Sequence, residues 1–243
     1  HSQNINIPKT LKKHMKKYRT PSLVINLKNY DEIYSNFSID ISKISESVAS
    51  ETGVEIIVCP PNPVLYKVIE NVSIPIYAQH VDDAKVGSST GSIVPELIKS
   101  INCKGSLINH SEKRISINDI EKLIERFNEL ELTSLVCAQS IEEVESIAKL
   151  KPDIIAIEPP ELIGSGRAVS KVNPKIISDS VDTVNSINKN IDVLCGAGIM
   201  TGEDVSIALE LGSKGILIAS GIIKSDDWKS IILELSKPMI KND

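Results

Sequence analysis

"TSLVCAQSIEEVESIAKLKPDIIAI", Thr133 to Ile157, is the stretch on which the fold turns. It holds two short aliphatic runs, "TSLVC" (133–137) and "DIIAI" (153–157), with an amphipathic segment between them. Neither run alternates apolar with polar residues. A strand that is apolar on both faces must be covered on both faces, which is the situation of strands in a parallel sheet. The intervening "SIEEVESIAKL" opens with Ser140 and Glu143 at capping-box spacing, which predicts a helix beginning there. The stretch therefore reads as strand, helix, strand.

Outward from this unit the same beat recurs. Aliphatic runs stand at "SLVINL" (22–27), "VEIIVC" (54–59), "IPIYA" (74–78), "GSLIN" (105–109), "IDVLC" (191–195) and "KGILIA" (214–219), making eight with the first two. Helical stripes lie between them. Ile117, Ile120, Leu123, Ile124, Phe127 and Leu130 form one, with Ser116 placed to cap it and Asp119 suited to its positive end. Val172, Ile176, Ile177, Val181, Val184 and Ile187 form another, and Thr201 is expected to cap a helix through "EDVSIALEL". Strand then helix, eight times, predicts a closed (β/α)8 barrel as a single domain over residues 21–243. The competing open, doubly wound sheet needs a G-x-G-x-x-G turn after its first strand. The nearest match, "CGAGIMTG", follows the seventh strand and has Thr201 where the third glycine belongs.

Composition fits this. With one Trp, five Tyr and two Phe in 243 residues, Ile, Val and Leu must fill the core. Twenty-seven basic against 32 acidic residues give a net charge of −5, which argues against a general nucleic-acid binder. No apolar stretch is long enough to span a bilayer. Cys59, Cys103, Cys137 and Cys195 are scattered without a C-x-x-C, so buried, reduced thiols and a cytoplasmic setting are expected. The first 20 residues, "HSQNINIPKTLKKHMKKYRT", are expected to form a basic, solvated leader; starting on His1, they carry an expectation of processing.

In such a barrel, chemistry gathers where strands end at their C-terminal rim. The first strand ends "NLK", which sends Asn26 and Lys28, two apart, to the same side. The fourth delivers His110 to what reads as a helix start, where amide dipoles disfavour the imidazolium. Its "HSE" lacks the downstream P-C-x-x-C of zinc deaminases, so a metal is not expected. His80, after the third strand, is read as structural. The sixth strand runs into Glu158, flanked by aliphatics and prolines, the setting of a base with restricted solvation and raised pKa. "LIGSG", "CGAG" and "IASG" after strands six to eight supply small residues whose amides can approach a phosphate.

Taken together, "NLK", "AQHVDDAKVGSSTG", "NHSEKR", "AIEPPELIGSG", "VLCGAGIMTGEDV" and "ILIASGI", in this order from Ser22 to about Trp228, resemble the triosephosphate isomerase family in its short archaeal form. The resemblance implies a TIM barrel that interconverts dihydroxyacetone phosphate and glyceraldehyde 3-phosphate in glycolysis and gluconeogenesis, without cofactor or metal. It implies Glu158 as base, His110 as neutral electrophile and Lys28 as positive charge, with Asn26 and Leu27 binding substrate beside them and Glu112 as an auxiliary acid. Ile163, Gly164, Gly198, Ala219 and Ser220 would gather the phosphate, and Pro159 to Lys171 would close as a lid. Loop 87–91 would enter a neighbouring subunit of a dimer or tetramer. The chain departs from the family pattern at Glu161, where an aromatic is usual, at Cys195–Gly198, where Tyr-Gly-Gly-Ser is usual, and at Asn109, where glycine is common. Other readings are a phosphate-binding barrel isomerase or lyase of different substrate, or a barrel that only binds phosphometabolites.

Overall fold

A computed structural model describes residues 16–241. Eight parallel strands form one sheet: β1 (Ser22–Asn26), β2 (Glu55–Cys59), β3 (Tyr77–Ala78), β4 (Gly105–Ile108), β5 (Thr133–Ala138), β6 (Ile154–Ile157), β7 (Asp192–Gly196) and β8 (Gly215–Ile218). Their order is 2-1-8-7-6-5-4-3, and a parallel bridge between Val58 and Ile76 brings the two ends together into a barrel. Around it run α1 (Phe37–Thr52), α2 (Asn62–Ile69), α3 (Pro95–Ser100), α4 (Ile117–Leu130), α5 (Ile141–Ala148), α6 (Val169–Val172), α7 (Pro174–Ile187), α8 (Gly202–Glu210), α9 (Ser220–Ile223) and α10 (Trp228–Ser236). None of these helices is long and apolar enough to cross a membrane.

The continuously apolar strands serve two cores. Val24, Ile57, Tyr77, Leu107, Leu135, Ile154, Leu194 and Leu217, one from each strand, meet inside the barrel. Their neighbours, such as Leu23 and Ile25 of β1 or Ile155 and Ile157 of β6, face outward to the helices. This alternation fixes which residues reach the mouth. In β6, Ile154 and Ala156 point inward, so the next inward position is Glu158.

Local signals account for most element ends. Ser116 Oγ accepts the Asp119 N–H at 3.1 Å, and Thr201 with Asp204 makes a full capping box. Ser140 Oγ accepts from Glu143 N at 3.3 Å, but the Glu143 carboxylate turns to Gln139 N–H instead of completing the box. Three expectations need correction. The third strand is shorter than 74–78, because Pro75 has no N–H for a ladder, although its carbonyl still accepts from Val58. The stripe from Val172 to Ile187 is not one helix: Pro174 starts α7, and Val172 ends α6 half exposed. Ile117, first residue of α4, is exposed rather than part of the buried stripe.

The basic leader is also corrected for its last five residues. Tyr18 is buried among the inner core residues, and its hydroxyl donates to Asp192 at 2.7 Å. Lys16 pairs with Asp192, Lys17 with Asp153 and Arg19 with Glu55, each at a strand or the residue before it. Those acids stand at the N-terminal ends of β6, β7 and β2, so the segment stoppers the barrel at the rim opposite Glu158. The remainder of the leader, residues 1–15, lies outside the described residues. All four cysteines are buried and free.

Candidate active site

Strand β1 ends with its chain turned sharply. Lys28 sits at φ 48, in the left-handed region, where a non-glycine residue is uncommon and needs support. Asn26 Oδ1 accepts the Lys28 N–H at 3.0 Å, and Gln79 Nε2 donates to the Lys28 carbonyl at 3.0 Å. So held, the lysine runs inward with little exposure and its Nζ lies 2.8 Å from Glu112 Oε1.

His110 leaves β4 into a turn, not a helix; α4 begins only at Ile117. The expectation of a helix start is therefore corrected, with the same electrostatic outcome. The Glu112 backbone N–H donates to His110 Nδ1 at 3.1 Å, which uses that lone pair and assigns the ring proton to Nε2. Burial lowers the imidazole pKa; Glu112 opposes this and Lys28 adds to it. The ring is thus a neutral donor aimed at the mouth.

Glu158 Oε1 lies 3.5 Å from His110 Nε2 and, among the described residues, has no hydrogen-bond partner despite being buried. Burial raises its pKa from 4.5 to about 7, partly countered by the Lys28 charge, with Glu112 raising it and the Cys137 thiol lowering it. A buried carboxyl oxygen left without a partner is rare unless chemistry requires it. Gly196 makes room for this side chain: a Cβ there would lie 2.4 Å from Glu158 Cγ.

One cavity is lined by Asn26, Lys28, His110 and Glu158 together with Ile163, Gly164, Gly198, Ala219 and Ser220. The sequence thus places the separate groups at one rim. Glu112 stands just outside, touching Lys28 and His110. Leu27 is the exception: its side chain is fully buried in the outer core and its N–H goes to Cys59 O, so its assignment to substrate contact is corrected. Sequence reasoning missed Ala197, Ile199, Leu217, Ile218 and Gly221 in the lining, and the steric role of Gly196. The apolar ones carry no chemical signal; Gly196 was visible only as part of "CGAG".

Beyond the sixth strand, Pro160–Leu162 makes a short 3-10 turn, and Gly164 (φ 66) and Gly166 (φ 69) turn the chain through left-handed conformations. The far end is anchored. Val169 N–H donates to Ala197 O, Ser170 Oγ to Asp204 O, and Lys171 Nζ lies 2.6 Å from Glu203 and 3.0 Å from Asp204. Gly198 packs so closely on this stem that a Cβ would lie 2.0 Å from Arg167 O.

A parallel barrel whose mouth joins a raised carboxyl, a neutral imidazole and an ammonium has the groups of a barrel enzyme that moves protons by general acid–base chemistry. A triosephosphate isomerase family model matches residues 21–235. Triosephosphate isomerase of Methanocaldococcus jannaschii is 49% identical over 88% of this chain and 98% of its own length. Those of Methanobacterium bryantii and Sulfurisphaera tokodaii are 46% and 45% identical, over 89% and 88% of this chain and 96% and 93% of their own lengths. The chain belongs to the triosephosphate isomerase family.

Proposed function

We propose that the protein interconverts dihydroxyacetone phosphate and glyceraldehyde 3-phosphate by the residues gathered at this rim. The unpartnered Glu158 oxygen beside a neutral His110 carries the reading. Glu158 removes a proton from the carbon next to the carbonyl while His110 Nε2–H donates to the carbonyl oxygen. His110 passes its Nε2 proton to that oxygen and takes up the proton of the adjacent hydroxyl in return, so the enediolate charge moves from one oxygen to the other. Glu158 then returns its proton to the former carbonyl carbon, and the new carbonyl forms next to it. Burial keeps the imidazole neutral, so the ring donates Nε2–H without carrying a charge into the buried mouth; this family is the standard illustration of the pairing. Lys28 offsets charge on phosphate and enediolate, Asn26 orients the substrate through its amide nitrogen, and Glu112 holds Lys28 in place.

The phosphate sits against Gly164, Gly198, Ala219 and Ser220, whose small side chains allow amides to approach it. Of the Pro159–Lys171 segment, the part up to Ala168 covers the mouth, stiffened at its start by two prolines, while Val169–Lys171 are fixed by the α6 contacts. Exclusion of water keeps the enediolate from expelling phosphate. Loop 87–91, beside exposed Val86 and Leu97, reaches into a second copy, entering the cleft bordered by Tyr30, Pro61, His80 and Gly91 next to Lys28 and His110. The setting is the cytoplasm, in glycolysis and gluconeogenesis.

A coupled assay that follows dihydroxyacetone phosphate produced from glyceraldehyde 3-phosphate tests this. Rapid turnover abolished by Glu158→Gln is the expected result. A folded, oligomeric protein without turnover would overturn the reading.

A further inference from the structure

Asn109 stands between β4 and His110 at φ 64, a left-handed conformation that glycine adopts freely and asparagine tolerates. A glycine would satisfy the backbone, so the side chain is there for something else. It is almost fully buried, and both its amide hydrogens and its oxygen have partners. Nδ2 donates to Cys137 O at 3.1 Å and to Glu143 Oε1 at 3.0 Å; Oδ1 accepts the Ile115 N–H at 3.1 Å. Glu143 is itself fixed, accepting Gln139 N–H at 3.0 Å and pairing with Arg114 at 2.5 Å. The amide therefore ties three places: the end of β5, the start of α5 and the exit of the turn that carries His110.

The geometry of that turn decides the imidazole tautomer. Its closure, Lys113 N–H to His110 O at 2.8 Å, positions the neighbouring Glu112 N–H against His110 Nδ1. Asn109 Oδ1 pins Ile115, so the loop 109–115 is clamped at both ends by one side chain. We propose that Asn109 is a positioning residue for His110: by clamping this loop it keeps the Glu112 amide on Nδ1 and the ring proton on Nε2, facing Glu158. The inference deepens the isomerase reading and rests on it for its catalytic consequence, though not for its effect on the ring.

Asn109→Gly keeps the backbone conformation and removes only the clamp. Nitrogen-15 NMR of the His110 ring in the free protein reads the tautomer without reference to activity. The expected result is a loss of the single Nε2–H signature, with kcat down about tenfold while KM and inorganic phosphate affinity stay within about twofold. Should Asn109→Gly fail to fold, Glu143→Ala loosens the same clamp from its far side and is expected to shift the tautomer in the same direction. A folded variant of either kind with wild-type ring signals and wild-type kcat would overturn the inference. A changed tautomer in a chain whose wild type shows no turnover would uphold the clamp and sink the isomerase reading instead.

Discussion

At Glu158 burial lifts the carboxyl pKa from 4.5 to about 7, so between those values the native state holds a proton that the unfolded chain has released. Stability therefore falls as pH rises through that window, reaching a cost of roughly 3 kcal/mol above pH 7 and vanishing below about pH 4.5. Glu158→Gln removes the cost: urea denaturation should find it more stable than wild type at pH 8 by up to about 3 kcal/mol and equal near pH 4. In the wild type, kcat/KM should rise through about pH 7 as the base ionises, a profile read by initial rates across pH. Glu158→Asp withdraws the base by one methylene and should cut kcat by about 100-fold while phosphate affinity holds. The residues gathered at the mouth were legible because strand ends announce them; Lys28, His110 and Glu158 each close an aliphatic run. The left-handed backbone at Lys28 and Asn109 was not, since it depends on Gln79, Cys137 and Glu143, distant in sequence.

Among the elements, the eight strands could be read because burial on both faces leaves an unmistakable uniform run, and the caps because Ser and Thr stand where amides need them. The third strand was overread since an apolar run cannot reveal how much of it will pair, and the proline inside it was the warning. The stretch beyond β6 was harder. Its stem depends on the loop after β7, through Val169 with Ala197 and Arg167 against Gly198, contacts with no local signature. Gly198→Ala tests that dependence. The added methyl meets Arg167 O at 2.0 Å and the residue sits at φ 71, so the two loops must part. Steady-state kinetics should show kcat/KM reduced about tenfold or more, since misplacement of around 1 Å costs that much, with the circular dichroism of the barrel unchanged.

Taken whole, the barrel has a chemical rim and a structural rim. Tyr18 closes the latter, and its removal should be felt in stability alone. Tyr18→Ala opens a void in the inner core and strips Asp192 of a donor, which should cost about 3 kcal/mol or more in denaturant melts while kcat stays within about twofold. Among the described residues, that stopper and the packed interior fill the axis beneath Glu158, so exchange between Glu158 and the surroundings runs through the mouth. On the proposed reading, a hydrogen lifted from substrate by Glu158 exchanges only when the 159–168 segment opens. In deuterium oxide, the share of product that keeps its original protium becomes a clock for how often the cover lifts during one catalytic cycle.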